Sequence, residues 1–130
     1  MPTVKYSLSL SVAGGPYLVV DSNSISAEAT DSVEVSIASG DPELTVEIQP
    51  SALAKVHVIL IESSLYSEDL TFKFSDGVTD SVDLTIDSPQ LHTNGSLALL
   101  GSINPTQMKI NLGGTGLEAN ISVFVARNAT

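Results

Sequence analysis

Four aspartates, Asp76, Asp80, Asp83 and Asp87, lie within one short stretch of the chain. Closely spaced carboxylates are the ligands a calcium ion requires. Their spacing, however, is not the Asp-x-Asp-x-Asp-Gly of a calcium loop. Alternation puts Asp83 and Asp87 on the outer face of a strand, and Asp76 and Asp80 flank a turn. A solvated acidic face accounts for all four, and a weak cation site is the competing reading. The only two histidines are His57 and His92. His57 interrupts an apolar run, the position of a half-buried structural histidine. His92 stands beside Thr93 and Asn94 in a polar stretch that reads as a loop. A Ser-His-Asp triad is assembled in space rather than in sequence, but no Gly-x-Ser-x-Gly elbow is present, so the chain reads as non-enzymatic. Gly114-x-Gly116-x-x-Ala119 imitates a dinucleotide fingerprint. That motif needs a helix to follow, whose N-terminus holds the pyrophosphate. Here a β-patterned run follows, so an inter-strand loop is expected and no cofactor is implied. Asn94, Asn120 and Asn128 open formal glycosylation triplets, which matter only in a secretory context.

The elements that must position these residues are strands. Val4, Tyr6, Leu8, Leu10 and Val12 alternate with Lys5 and serines, the pattern of a half-buried strand. Residues 13–16 (Ala-Gly-Gly-Pro) break it. A short run at 17–20 stops at 21–24 (Asp-Ser-Asn-Ser). Alternation resumes at Val33, Val35 and Ile37, and again at Leu44, Val46 and Ile48, with turn chemistry at Gly40-Asp41-Pro42 between them. Residues 56–61 are apolar on both faces apart from His57, which predicts a central strand covered on both sides. Leu70, Phe72 and Phe74 form the next strand, and Asp76-Gly77 its turn. Val82, Leu84 and Ile86 follow, then a short apolar run at 97–100. Met108, Ile110 and Leu112 form another strand, and Ile121, Val123 and Val125 the last. Only residues 51–54 could form a helical turn. The expectation is an all-β, antiparallel, jelly-roll-like sandwich of about eight to ten short strands.

TDSVEVSI at 30–37 returns as TDSVDLTI at 79–86. Further matches keep their order: Ile48-Gln49-Pro50-Ser51 with Ile103-Asn104-Pro105-Thr106, Lys55-Val56-His57-Val58 with Lys109-Ile110-Asn111-Leu112, and residues 69–74 with 120–125. This reads as one domain over 1–130 containing an internal repeat, 28–76 and 77–127. A unit of that size buries too little surface to stand by itself easily, so two would share one core. Compositional likeness between Ser- and Val-rich strands is the alternative.

The chain has 130 residues, 42% of them hydrophobic but only 5% aromatic and none Trp, so the core is expected to be aliphatic. Fifteen acidic residues against five basic ones give a net charge of −10, which disfavours binding to nucleic acid or to anionic membrane surfaces. There is no cysteine, hence no disulfide, thiol catalysis or Cys-ligated zinc. The alternating start lacks the apolar core of a signal peptide, and no apolar stretch is long enough for a membrane-spanning helix. Tyr6, Tyr17 and Tyr66 are scattered, which makes an aromatic sugar platform hard to build.

Taken with the SLSLSV start, the TDSVEVSI and TDSVDLTI strands and the ISVFVARNAT ending, this small, acidic, cysteine-free, Ser/Thr-rich chain resembles the capsid decoration (cement) proteins of tailed bacteriophages. It is similar in style to head-to-tail and fibre-associated virion proteins. The resemblance implies a non-enzymatic structural protein, located in the virion after assembly in the host cytoplasm. Such a protein would be a homo-oligomer, with a trimer favoured, bridging subunits of a major capsid protein. Met1, Pro2, Thr3, Lys5 and Tyr6 at one end, and Arg127 and Asn128 at the other, are the candidate partner contacts, because termini readily order against a partner. Frayed ends are the competing reading. The alternative function is a carbohydrate- or receptor-binding sandwich module.

Overall fold

The structure, a computed structural model, describes residues 3–11, 13–27, 29–48, 55–93 and 103–128, with the backbone only at 8, 10 and 19–26. The strands are β1 (Thr3–Ser11), β2 (Tyr17–Ser26), β3 (Ala29–Ala38), β4 (Leu44–Glu47), β5 (Val56–Ser63), β6 (Leu70–Ser75), β7 (Leu84–Thr85), β8 (Gln90–Thr93), β9 (Gln107–Leu112) and β10 (Glu118–Arg127). No α-helix occurs among the described residues. Two four-stranded sheets, ordered β3-β10-β5-β8 and β4-β9-β6-β7, form a β-sandwich, and β1 and β2 make a separate two-stranded ribbon. Every pairing is antiparallel.

Alternation decides which side chains meet. Ile37, Val123 and Ile121 from the first sheet face Phe72, Ile110 and Met108 from the second in one core. The intervening Ser, Thr, Lys and Glu residues point outward. The core is not purely aliphatic, as composition suggested. Phe72 and Phe74 are among its largest buried side chains, set edge to face with ring centroids 5.4 Å apart. A low aromatic fraction does not say where the few aromatics lie.

β5 is covered on both faces, as the apolar run broken only by His57 predicted. Ile59 and Ile61 join the main core, while Val58 joins a second cluster on the opposite face with Ala27 and Ala126. Val56 nevertheless faces the main core. The parity switches because the β5–β10 register slips there: Ala126 pairs with Val58, but Arg127 pairs with Val56. His57 is the extra residue of that bulge. The second cluster is covered by Val4 and Tyr6 of β1, so the ribbon is anchored by its first few residues.

Three expectations are corrected. The Asp-Ser-Asn-Ser segment at 21–24 does not end β2, which continues to Ser26 across an irregularity opposite Tyr6 and Leu8. The strand expected around 82–86 shrinks to Leu84–Thr85, and Val82 is 65% exposed instead of facing inward. His92 lies in strand β8 and not in a loop. The possible helical turn at 51–54 and the apolar run at 97–100 lie outside the described residues.

The strand order carries an internal symmetry. Replacing β3, β4, β5 and β6 by β7, β8, β9 and β10, and the reverse, converts the order of one sheet into that of the other. The matched stretches at 30–37 and 79–86, 55–58 and 109–112, and 69–74 and 120–125 overlap strands related in this way, although of 79–86 only Leu84–Thr85 is strand.

Candidate interaction surfaces

The four aspartates do not converge. Asp76 turns back on its own loop, where its carboxylate accepts the Val78 and Thr79 amides at 2.9 and 2.6 Å. Those bonds, the Thr79 amide foremost, hold its pKa below the usual carboxylate value. Asp80 is drawn over the outer face of the second sheet. The Ser75 hydroxyl and then the Lys109 ammonium lower its pKa, and Lys109 Nζ lies 3.1 Å away. Lys73 bridges the same carboxylate at 3.6 Å and Glu43 at 3.8 Å. Asp83 and Asp87 stand exposed on either side of β7. Among the described residues no group of three His, Cys, Asp or Glu side chains could hold a metal ion. All four aspartates are exposed, and Asp80 shares Lys73 with Glu43; such exposed pairs contribute little each.

Both histidines bond to side-chain amides. His57 Nε2 lies 3.0 Å from Asn128 Oδ1, and His92 Nε2 lies 2.9 Å from Gln90 Oε1. The His92 ring stands edge-on to Phe74, with centroids 6.5 Å apart. Its half-buried position lowers its pKa by desolvation. A histidine whose folded pKa lies below its unfolded value leaves the unfolded chain holding more protons. Its stabilising effect is complete above about pH 6.5 and is lost as pH falls below that. Urea midpoints should therefore decline from pH 7.5 to pH 5.5 in the wild type and decline less in His92→Gln. The two aspartates act in the same direction at lower pH, since their depressed folded pKa values favour the fold only while they are ionised. An equal decline in both proteins would show that His92 does not contribute to the pH dependence.

The residues expected at a partner contact divide. Met1 and Pro2 lie outside the described residues. Thr3 and Lys5 are exposed on the ribbon. Tyr6 is engaged with the second apolar cluster. Arg127 Nε donates to Asp31 at 3.0 Å, and Asn128 is tied to His57 and, through its amide, to the Lys55 carbonyl. Among the described residues, the most exposed apolar side chains lie instead at two places, the loop holding Val78 and Val82 and the far end of the ribbon. There Tyr17 and Leu18 are 68% and 59% exposed, opposite Ser11 and Leu10 in the register. Leu18 belongs to the short apolar run at 17–20, which reads equally well as a buried strand, so the sequence did not show that this end lies open.

The anchoring can be tested. Full burial of a Val or Tyr contributes about 1.5–3 kcal/mol, and Val4 and Tyr6 are only half-buried. Val4→Ser with Tyr6→Ser should therefore cost about 1–2 kcal/mol of ribbon docking. Amide exchange should quicken across β1 and β2 while β5, β6, β9 and β10 stay protected. Uniform quickening would mean that the ribbon is integral to the sandwich.

An open trough of about 440 Å³ crosses β3 and β10, lined by Glu34, Val35, Ser36, Asn120, Ile121 and Ser122. The Ser36 hydroxyl donates to Asn120 Oδ1 across its floor at 2.6 Å. Gly114 and Gly116 have φ values of +74° and +70° in the turn between β9 and β10. A strand follows them, so the glycine motif is turn chemistry and not a phosphate cradle. Comparison of the chain with family models, curated proteins and solved structures finds no match.

Proposed function

We propose that this chain is a non-enzymatic interaction protein of a larger protein assembly, with capsid decoration as its specific form. The observation that carries the reading is the β1–β2 ribbon. It is anchored at one end by Val4 and Tyr6 and presents Tyr17 and Leu18 to solvent at the other. Tyr17 and Leu18 are consecutive strand residues and so face opposite sides of the arm, and an exposed tyrosine or leucine at such a tip is the kind of anchor that buries in a partner's pocket. The strand order supports reading the sandwich as a jelly roll, an architecture found in viral capsid and lectin domains. That support is analogy of fold. The acidic surface suits a basic partner. Many copies, each held by modest contacts, would stabilise a shell by multivalency.

The test is whether the chain bands with density-purified particles from a culture expressing its gene, and whether Tyr17→Ser with Leu18→Ser removes it from them. Absence of the wild-type chain from particles would end the virion reading. The second reading, a carbohydrate module, draws on the polar trough, whose carboxylate, amide and hydroxyl lining matches sugar hydroxyls. Glycan retention lost in Asn120→Ala would favour it.

A further inference from the structure

Among the described residues, three of the four outer edges of the sandwich are short: β8 and β4 have four residues each and β7 has two. The fourth, β3, has ten. Proteins blunt long edge strands with lysine, proline or bulges, because a row of unpaired amides and carbonyls templates another strand. β3 reads ATDSVEVSIA, with no lysine, proline or glycine, and its register with β10 runs unbroken over ten pairs.

Its free groups can be assigned. Ser39 donates to the Leu117 carbonyl at 2.9 Å. Counting back by alternation, Ile37, Val35, Val33 and Asp31 exchange hydrogen bonds with β10. Thr30, Ser32, Glu34, Ser36 and Ala38 therefore direct their amides and carbonyls to the open edge. Ala38 is already satisfied there, since the Asp41 carboxylate accepts its amide at 2.9 Å and the Asp41 amide donates to its carbonyl at 3.1 Å. Thr30, Ser32, Glu34 and Ser36 are exposed and have no backbone partner among the described residues.

We propose that β3 pairs antiparallel with β3 of a second copy of this chain, about a two-fold axis at Val33. In that register Thr30 faces Ser36 of the second copy and Ser32 faces its Glu34, and the reverse. All four open residues are paired and the Asp41 cap is left intact. An axis at Glu34 would oppose the two carboxylates directly and require Ala38, and an axis at Val35 would again require Ala38. Val33 meets its own copy beside the rim of the core, where Val33 and Val35 are only half-buried. Asp31 is neutralised by Arg127 at 3.0 Å. Glu34 is left as the strand's uncompensated charge, and the two copies of it lie on a diagonal about 7–8 Å apart. The dimer therefore tightens with salt, which screens at about that distance. Two-fold pairing closes the assembly, because the edge is used up. The inference stands on the strand edge and not on the capsid reading, so either can fail without the other.

Light scattering on a sizing column, over rising protein concentration, tests it. The expected result is a shift from the 13.5 kDa monomer mass to twice that value, at lower concentration in high salt. Glu34→Gln should dimerise more readily and lose the salt dependence. Ser32→Pro removes an amide that faces the open edge and not β10, a place where an edge strand tolerates proline. It should keep the fold and remain monomeric. If Ser32→Pro does not fold, amide exchange of the wild type decides: Thr30, Ser32, Glu34 and Ser36 should become protected only at concentrations where the dimer forms. A wild type that stays monomeric throughout, a dimer in folded Ser32→Pro, or a dimer that leaves those four amides unprotected would overturn the proposal.

Discussion

Phe72→Ala should destabilise the protein by about 3–5 kcal/mol, the usual cost of deleting a buried phenylalanine ring. Phe72 sits on β6, between β9 and β7, opposite Ile110 and Leu84. It is 1% exposed. Its ring meets Phe74 edge to face, a geometry that contributes beyond area alone. Both neighbouring strands are hydrogen-bonded in register with β6, so the walls cannot close freely on the space left behind. A domain of this size has roughly 5–15 kcal/mol of stability in total, so one substitution consumes a large fraction of it. Urea unfolding should show a much lower midpoint with an unchanged slope. Lys73→Ala, one residue along on the outer face, is the control. It loses only partly exposed ion pairs to Asp80 and Glu43, and should cost no more than about 1 kcal/mol. Equal losses in the two variants would contradict the inward and outward assignment of β6.

Gly114→Val is expected to cost about 2–3 kcal/mol, from backbone strain and crowding together. The backbone at Gly114 is left-handed, with φ +74°, a conformation that β-branched residues strongly resist. A Cβ there would lie 2.9 Å from Leu117 Cδ1 and 3.1 Å from Asp69 Oδ2. The exposed Asp69 carboxylate can turn aside, but Leu117 and the Asp69 backbone are held. Leu117 packs against the core rim, and the Asp69 carbonyl accepts the Gly113 amide at 2.8 Å, tying this turn to the start of β6. Gly116 separates the two causes: its φ is +70°, but nothing lies within 4 Å of an added Cβ. Gly116→Asn, with a residue that tolerates the left-handed region, should therefore cost well under 1 kcal/mol. Thermal unfolding of the pair measures both. A Gly114→Val protein as stable as Gly116→Asn would show that the β9–β10 turn has room it does not display.

Most strands were legible because one face of each is wet. Period-two alternation marked β1, β3, β4, β6, β9 and β10, and the apolar run at 56–61 marked β5 as covered on both sides. β8 was missed because Gln90, Leu91, His92 and Thr93 do not alternate in polarity. All four are half-buried at the margin of a sheet, where polar side chains stay partly wet on either face. The candidate site was less legible. The aspartate spacing suggested one site, yet Asp76 and Asp80 bond in different directions and Asp83 and Asp87 stand exposed. The ribbon's exposed tip and the bare edge of β3 have no local signature, because apolar alternation looks the same whether or not something covers it.

Thr-Asp-Ser-Val occurs twice and shows where the division falls. At 30–33 it lies in a ten-residue strand, with Asp31 held by Arg127. At 79–82 the same four residues are outside any strand longer than an isolated bridge. Asp80 is held by Lys109, the Ser81 hydroxyl accepts the Phe74 amide at 3.0 Å, and Val82 is exposed. The sequence by itself determined that this chain is all-β, where most of its turns fall, which face of the clearly alternating strands meets the core, and that its surface is strongly acidic. These follow from periodicity, glycine and charge, which act locally or by simple addition. Only the tertiary structure decided which strands became long, which edges stayed open, and which carboxylates kept lysine or arginine partners. Those outcomes depend on residues brought together from distant parts of the chain, and identical local sequence cannot encode different neighbours.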